Sequence, residues 1–442
     1  MLNAKKLKVL ISFVLLFAFI LQFSPKLTVS SAYEPNVELH SEGVYMVNLD
    51  TDTVIYSKNA YERFYPASLT KMMTAIIIME NCPDLSRSIR VGEDAFREFN
   101  SGDPNKEGIA SAGLEPGQEN LTYRDCLNAL MISSACEAGN ILALDLCGSV
   151  ENFTGMMNEK AYEIGCRGTH FSNPHGLWER DNYSTPYDMY LIARYGWDNV
   201  EGFAELSDTR SYKLPPNSMH PDGYELDNIN PIISPKSKYY VDYAHGIKTG
   251  SLDYWYDEYG NTYKGLKCMV STAQKDGLSY MTVTMQAPYF SETGERESYA
   301  AEDHYNLYNW VYDTFEYRAA ISEGEIFAAA NVMLDGELRL VKIAAKTGYY
   351  SILPKDQSDE DFIGVSVTLS DTIVDAPVHK GDVLGTLGVF DRKELVETID
   401  LVAVRSMGVF EASSLGQLTE GLSENKWIVY TAALMSFCLL AA

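Results

Sequence analysis

A serine and a lysine stand three residues apart at the start of an apolar segment, in Pro66-Ala67-Ser68-Leu69-Thr70-Lys71. Residues i and i+3 share one face of a helix, so Lys71 can reach the hydroxyl of Ser68. Free backbone N–H groups in the first helical turn favour developing negative charge. A lysine acts as a base only when it is partly neutral, which burial or a second cation brings about by lowering its pKa. The pattern fits nucleophilic catalysis, and it also fits a helix cap beside a solvated lysine.

A second group of polar residues precedes a strand-rich segment, in His245-Gly246-Ile247-Lys248-Thr249-Gly250. Lys248 offers a positive charge and Thr249 a hydroxyl donor, while Gly250 lets a substrate backbone approach a strand edge. Such a strand is suited to a peptide that ends in a free carboxylate. The same tripeptide recurs in Lys346-Thr347-Gly348. We predict a structural turn there, because no comparable pair of strands follows it.

Other segments occur in a fixed order around these two motifs, at residues 171–177, 183–185, 227–230, 376–378 and 380–382. Together with the two motifs they resemble the D-alanyl-D-alanine carboxypeptidases, the low-molecular-weight penicillin-binding proteins that share the serine β-lactamase fold. The resemblance covers about residues 33–410. It implies an α+β fold with a β-lactamase/transpeptidase-like domain, in which an antiparallel sheet carries a helical cluster, followed by a small all-β domain.

The family carries a third motif, S-x-N, and the matching segment here is Ser134-Ala135-Cys136. The resemblance implies that the hydroxyl of Ser134 relays a proton between a lysine and the leaving amine. Cys136 replaces the family asparagine and lacks the paired donor and acceptor of an amide. It is therefore expected beside the substrate, either in the asparagine's place or as a packed thiol.

The resemblance also implies a mechanism. Ser68 attacks the carbonyl of the penultimate D-alanine of a peptidoglycan pentapeptide while Lys71 takes its proton, and water then resolves the acyl-enzyme. The N–H groups of Ser68 and Ser251 hold the tetrahedral oxygen, and Lys248 with Thr249 holds the terminal carboxylate. β-Lactam antibiotics are expected as covalent inhibitors, and neither a metal nor a cofactor is implied.

Three alternative functions remain open from the sequence. The first is a β-lactamase or esterase on the same fold, and the second is a transpeptidase or endopeptidase acting on related wall substrates. The third is a wall-binding protein whose turnover Cys136 has impaired.

Charge and cysteine usage narrow the class of protein. The formal net charge of −26 argues against a nucleic-acid partner. The chain has seven cysteines, too few and too irregularly spaced for a disulfide framework or a zinc site. We expect most of them to be small buried hydrophobes.

Both ends of the chain are apolar. Residues 1–32 combine three early lysines, an apolar run and small residues, which predicts a signal peptide or, alternatively, an uncleaved anchor. Residues 427–442 carry no charge and predict a C-terminal membrane anchor, with a buried terminal helix as the alternative. The body is thus expected outside the cytosol, on the outer face of the bacterial cytoplasmic membrane or in the cell wall.

The elements that position the candidate residues follow from periodicity. Strand patterns come first, helical patterns follow, and strands return after Gly246, which is typical of an α+β domain. A helix from Ser68 to Glu80, a break near Ser134 and a closing helix over 305–320 are predicted. We expect a catalytic domain at 33–320, a small β domain at 321–411 and a linker at 412–426.

Overall fold

The computed structural model describes residues 33–107, 109–257, 259–391 and 393–408. They form two compact units, which divide between Asp313 and Thr314. The predicted signal peptide at 1–32, the linker at 412–426 and the anchor at 427–442 lie outside the described residues. Within the described ranges, no helix is both long enough and apolar enough to cross a bilayer.

The first unit is built on a five-stranded antiparallel sheet with the strand order β2-β1-β7-β6-β5. Its strands are β1 (Gly43–Asn48), β2 (Val54–Lys58), β5 (Ala244–Tyr256), β6 (Thr262–Lys275) and β7 (Leu278–Pro288), and a separate hairpin consists of β3 (Ser211–Leu214) and β4 (Tyr224–Asp227). The strand that carries the second motif, β5, lies at an edge of the sheet. Strands β1 and β2 pair as an antiparallel hairpin, in agreement with the strand patterns that come first in the sequence.

Seven helices are described: α1 (Thr70–Asn81), α2 (Tyr123–Ile132), α3 (Cys136–Cys147), α4 (Val150–Ile164), α5 (Pro186–Asn199), α6 (Phe203–Asp208) and α7 (Tyr299–Thr314). Nine consecutive residues of α1 are buried, as its apolar sequence predicts. Thr122 and Asp125 form a capping box at the start of α2. The predicted break near Ser134 separates α2 from α3.

The sheet has helices on both faces. On one face Val270 and Val283 belong to the same apolar core as the helices that surround α1. Neighbouring strand residues point to opposite faces, and Ser271 accordingly contacts His304 of α7, with 2.7 Å between Oγ and Nδ1. Thr284 contacts the other ring nitrogen of His304 at 3.0 Å. The central strands are therefore buried on both sides.

The prediction of a closing helix over 305–320 was wrong in its second half. Helix α7 ends at Thr314, and the chain continues as strand β8 (Phe315–Ile321) of the second unit. This strand pairs antiparallel with β11 (Tyr349–Pro354). The partner lies far along the chain, so local periodicity gave no indication of the pairing.

The second unit is all-β, as predicted. Its six-stranded sheet has the order β12-β14-β15-β10-β9-β13 and consists of β9 (Ile326–Leu334), β10 (Glu337–Ala345), β12 (Ile363–Leu369), β13 (Val374–Asp375), β14 (Val383–Asp391) and β15 (Glu394–Ala403). The second Lys-Thr-Gly tripeptide forms the bend between β10 and β11. This bend confirms the predicted structural turn. Lys346 pairs there with Asp400 at 2.9 Å.

Candidate active site

Ser68 lies in a single 3-10 turn, Ala67–Leu69, that leads directly into α1. The preceding Ala67 has a φ of +48°, in the left-handed region that costs energy for residues other than glycine. The Ala67 carbonyl packs against Gly176, where an added Cβ would lie 1.8 Å from its oxygen. The turn thus holds Ser68 half-buried at the start of a buried helix.

Lys71 is fully buried and donates to three acceptors. Its Nζ lies 2.8 Å from Ser68 Oγ, 2.5 Å from the His175 carbonyl oxygen and 3.5 Å from Cys136 Sγ. Burial lowers the pKa of Lys71, against an opposing effect of Cys136 and Glu137. Burial thus shifts Lys71 toward the neutral amine, the form that can accept a proton from Ser68.

A second buried lysine faces the other side of the site. Lys248 Nζ donates to Ser134 Oγ at 3.0 Å and to the Thr249 carbonyl oxygen at 3.0 Å. Its pKa is lowered well below the ordinary value, first by burial and next by the charge of Lys71. Ser134 has a φ of +63° between α2 and α3. Its hydroxyl thus lies within hydrogen-bond distance of a lysine whose protonated form is disfavoured by burial.

The strand β5 approaches the nucleophile closely at Gly250. A Cβ added there would lie 3.0 Å from the Pro66 carbonyl oxygen and 3.2 Å from the Ser68 backbone nitrogen. The packing of β5 on the nucleophile turn therefore favours glycine. This reason differs from the approach of a substrate backbone that the sequence suggested. Thr249 is half-buried beside it and Ser251 is exposed.

Cys136 begins α3, is buried and directs its thiol at Lys71. Burial raises the pKa of Cys136, opposed by the charge of Lys71, so the thiol stays protonated. Asn140, one turn further along α3, donates instead to Glu98 at 2.5 Å. It does not take the place of the amide that Cys136 lacks.

Sequence reasoning missed three groups around Lys71. The His175 carbonyl lies in a segment that carried the family resemblance but had no assigned role. Glu98 bonds the ring of the same histidine, and buried Glu137 accepts from Ser111 Oγ and the Ala112 backbone nitrogen, both at 2.7 Å. A backbone carbonyl has no characteristic residue type. Glu98 lies in a segment with no recognisable motif, and Glu137 directly follows the third motif without being part of it.

The structure thus brings the predicted residues together in one cluster beside Gly250. Lys71 contacts Ser68 and Cys136, Lys248 contacts Ser134, and Cys136 Sγ, 4.0 Å from the Ser134 carbonyl oxygen, joins the two groups. Their catalytic roles stay predictions. Across the described residues, no group of His, Cys, Asp or Glu is arranged to hold a metal ion. All six cysteines in the described ranges are free thiols, and Cys438 lies outside those ranges.

A cavity of about 850 Å³ lies elsewhere in the first unit, between the C-terminal end of α1, α2 and α6. Its lining includes Cys82, Arg124 and Tyr212 but no residue of the cluster. The candidate active site is therefore identified by the hydrogen bonds around Ser68 and not by the size of a cavity.

Solved structures share this architecture. The chain is similar to penicillin binding protein 6B from Escherichia coli, with a TM-score of 0.58 and 21 % identity over 85 % of this chain and 98 % of the other. It is equally similar to the carboxypeptidase DacD from Francisella tularensis, with a TM-score of 0.58 and 21 % identity over 85 % and 95 % of the two chains. The fold is that of the penicillin-binding proteins, a β-lactamase/transpeptidase-like domain followed by a small all-β domain.

The sequence profile described as D-alanyl-D-alanine carboxypeptidase matches residues 28–289. A second profile, described as the C-terminal domain of penicillin-binding protein 5, matches residues 315–408. Because the first covers more than half of the chain, the protein belongs to the D-alanyl-D-alanine carboxypeptidase family. It is a serine peptidase of the penicillin-binding type.

Named relatives agree with this family. The chain is 28 % identical to the D-alanyl-D-alanine carboxypeptidase DacF of Bacillus subtilis over 387 residues, which cover 86 % of this chain and 90 % of DacF. It is 24 % identical to DacA of Escherichia coli over 377 residues, or 84 % of each chain. Both likenesses extend through the two units.

Proposed function

We propose that Ser68 is the nucleophile and Lys71 the base that removes a terminal D-alanine from peptidoglycan pentapeptides. The observation that carries this proposal is the 2.8 Å hydrogen bond between a half-buried hydroxyl and a fully buried amine. Burial lowers the pKa of Lys71, so the amine can accept the proton as Ser68 attacks.

In the acylation step, a bond forms between Ser68 Oγ and the carbonyl carbon of the penultimate D-alanine, and Lys71 takes the hydroxyl proton. The N–H groups of Ser68 and Ser251 hold the negative oxygen, each worth roughly 10²–10³ in rate. The carbon–nitrogen bond then breaks, and Ser134 passes a proton to the departing amine. Water next attacks the ester and regenerates Ser68.

Lys248 and Thr249 bind the substrate carboxylate in this scheme. Lys248 is buried without a carboxylate partner in the described residues, and its pKa is lowered by burial. An arriving carboxylate has the opposite effect, because a nearby negative charge favours the protonated amine. Substrate binding thus favours the protonated form of Lys248, whose Nζ lies 3.0 Å from Ser134 Oγ and can supply a proton to it.

Release of D-alanine from a synthetic pentapeptide tests the proposal. Ser68→Ala should lower the rate by about 10⁴-fold or more, because attack through an acyl-enzyme is lost. Ser101→Ala, a serine on the exposed surface of the same unit, is the matched control and should retain full activity. A Ser68→Ala variant within tenfold of the unaltered protein contradicts the assignment.

Transfer of the acyl group to an amine is a second candidate reaction. It is favoured by the similarity to a DD-transpeptidase of Streptomyces K15, with a TM-score of 0.51 and 25 % identity over 62 % of this chain and 98 % of that one. Adding an amine acceptor during pentapeptide cleavage distinguishes the two, since transfer yields a new amide instead of a shortened acid. A persistent penicillin adduct, rather than rapid turnover, excludes the β-lactamase alternative.

We further propose that residues 1–32 direct export and that residues 427–442 anchor the protein to the membrane through the 412–426 linker. The support is compositional, since both segments are apolar and the wall substrate lies outside the cytosol. The catalytic and β domains, predicted at 33–320 and 321–411, are proposed to divide instead near residue 313, because strand β8 pairs within the second unit. Deleting 412–442 should release the protein from membranes while D-alanine release continues.

A further inference from the structure

We propose that Glu98 is a positioning residue for Lys71, acting through the ring of His175 and through helix α3. The inference rests on the proposed role of Lys71 as the base. It assigns a function to a carboxylate that does not itself touch Lys71 or Ser68.

The first link is the histidine whose carbonyl accepts from Lys71 at 2.5 Å. The ring of His175 is fully buried, and its Nδ1 accepts from the Leu177 backbone nitrogen at 3.3 Å. The other nitrogen, Nε2, must then carry the hydrogen, and it lies 2.9 Å from Glu98 Oε1. Burial lowers the pKa of His175, so the neutral ring donates to Glu98. Glu98 thereby fixes the orientation of the residue that presents the carbonyl.

The second link runs to the helix that carries Cys136. Asn140 of α3 donates through Nδ2 to Glu98 at 2.5 Å and to the Ala95 carbonyl at 3.1 Å. Burial raises the pKa of Glu98, but the hydrogen bonds from His175 and Asn140, with the charge of Lys106, lower it below its ordinary value. The carboxylate is therefore ionised under ordinary conditions. Glu98 therefore connects the segment of His175, whose carbonyl accepts from Lys71, with helix α3, whose Cys136 also accepts from Lys71.

This connection matters because one of those acceptors is weak. A thiol accepts a hydrogen bond poorly compared with an amide oxygen, and Cys136 Sγ is 3.5 Å from Lys71 Nζ. The orientation of the amine toward Ser68 therefore depends mainly on the His175 carbonyl. A change that lets this carbonyl move should therefore slow acylation more in this chain than in a variant with asparagine at position 136.

A double-mutant cycle on penicillin acylation, measured by intact mass against time, tests this dependence. Glu98→Ala should slow acylation by about 30-fold, whereas Glu98→Gln, which keeps an acceptor for His175, should stay within about threefold. In a Cys136→Asn background the cost of Glu98→Ala should fall below about fivefold, because the amide supplies a second strong acceptor. Glu93→Ala is the matched control, because Glu93 is an exposed glutamate in the 3-10 segment Glu93–Asn100 that also contains Glu98.

Thermal unfolding of every variant separates positioning from folding. Should Glu98→Ala be unfolded at the assay temperature, Glu98→Leu, which keeps the side-chain volume but cannot accept from His175, replaces it in both backgrounds. The inference is overturned if removing the Glu98 carboxylate slows acylation equally in the unaltered and the Cys136→Asn backgrounds. It is also overturned if Glu98→Gln acylates no faster than Glu98→Ala. Failure of the proposed function looks different, because Lys71→Ala would then acylate normally whatever stands at position 98.

Discussion

The chain contains the tripeptide Lys-Thr-Gly twice, and the two copies have different surroundings. Lys248 is 2 % exposed and donates to Ser134 and to a backbone carbonyl. The side chain of Lys346 is 55 % exposed and pairs with Asp400 at 2.9 Å. The pKa of Lys248 is lowered, first by burial and next by the charge of Lys71.

The comparison shows that the three residue types do not by themselves make a catalytic motif. An exposed ion pair such as that of Lys346 with Asp400 contributes little to stability, since surface ion pairs are worth about 0–1 kcal/mol. A buried lysine beside a serine hydroxyl can exchange a proton with it. The position of the tripeptide on an edge strand facing α1 supplies this difference.

The strongest way to sharpen the comparison is to remove each lysine in turn. Lys248→Ala should slow D-alanine release by roughly 10²–10³-fold, because the carboxylate site and the proton source for Ser134 are both lost. Lys346→Ala should leave the rate unchanged, since that side chain only pairs with Asp400 on the surface. Comparable losses in the two variants would contradict the distinction.

The glycines of the two tripeptides, Gly250 and Gly348, provide a second contrast, because both are packed about equally tightly against a backbone carbonyl. A Cβ at Gly250 would meet the Pro66 carbonyl at 3.0 Å and the Ser68 nitrogen at 3.2 Å, so Gly250→Ala should shift the nucleophile and slow penicillin acylation about tenfold. A Cβ at Gly348 would meet the Ile321 carbonyl at 3.0 Å. Gly348→Ala should lower the unfolding temperature without changing acylation. Slower acylation in Gly348→Ala would break the comparison.

The pH dependence of acylation tests the electrostatic part of the contrast. The rate should fall as the pH drops through the lowered pKa of Lys71, because the protonated amine cannot accept the hydroxyl proton. Glu137 raises that pKa, so Glu137→Gln should move this acidic limb to lower pH while keeping the acceptor for Ser111 and Ala112. Stopped-flow acylation across the pH range checks the direction. A shift of the acidic limb to higher pH would contradict the expectation that Glu137 raises the pKa of Lys71.

Cys136→Asn should have the smallest effect. An amide oxygen is a better acceptor for Lys71 than the thiol at 3.5 Å, so acylation should rise by about two- to fivefold. The measurement is the acylation rate at saturating penicillin. A thousandfold loss would instead show that the thiol has a function of its own.

Much of the cluster could be predicted because its residues have recognisable types and spacing. The Ser68 and Lys71 pair, the break at Ser134 and the edge position of β5 follow from periodicity and motif order. Two elements were missed in the same region, α5 and α6, although Thr185 caps α5 and Pro186 stands at its first position. These start signals are present in the sequence, where they contributed only to the family resemblance.

The remainder depends on contacts between distant parts of the chain. The His175 carbonyl reaches Lys71 across 104 residues, and Glu98 reaches His175 across 77. The strand β8 was mistaken for helix because its partner β11 lies about thirty residues further on. Packing of this kind leaves no local pattern in the sequence.

Brief exposure to penicillin, followed by intact-mass measurement and peptide mapping, tests the central claim most directly. The account predicts one adduct per chain, located on Ser68, and no adduct in Ser68→Ala or within the time of the assay in Lys71→Ala. An adduct on a different residue, or undiminished labelling of Ser68→Ala, would contradict the claim that this buried serine and lysine pair performs the chemistry.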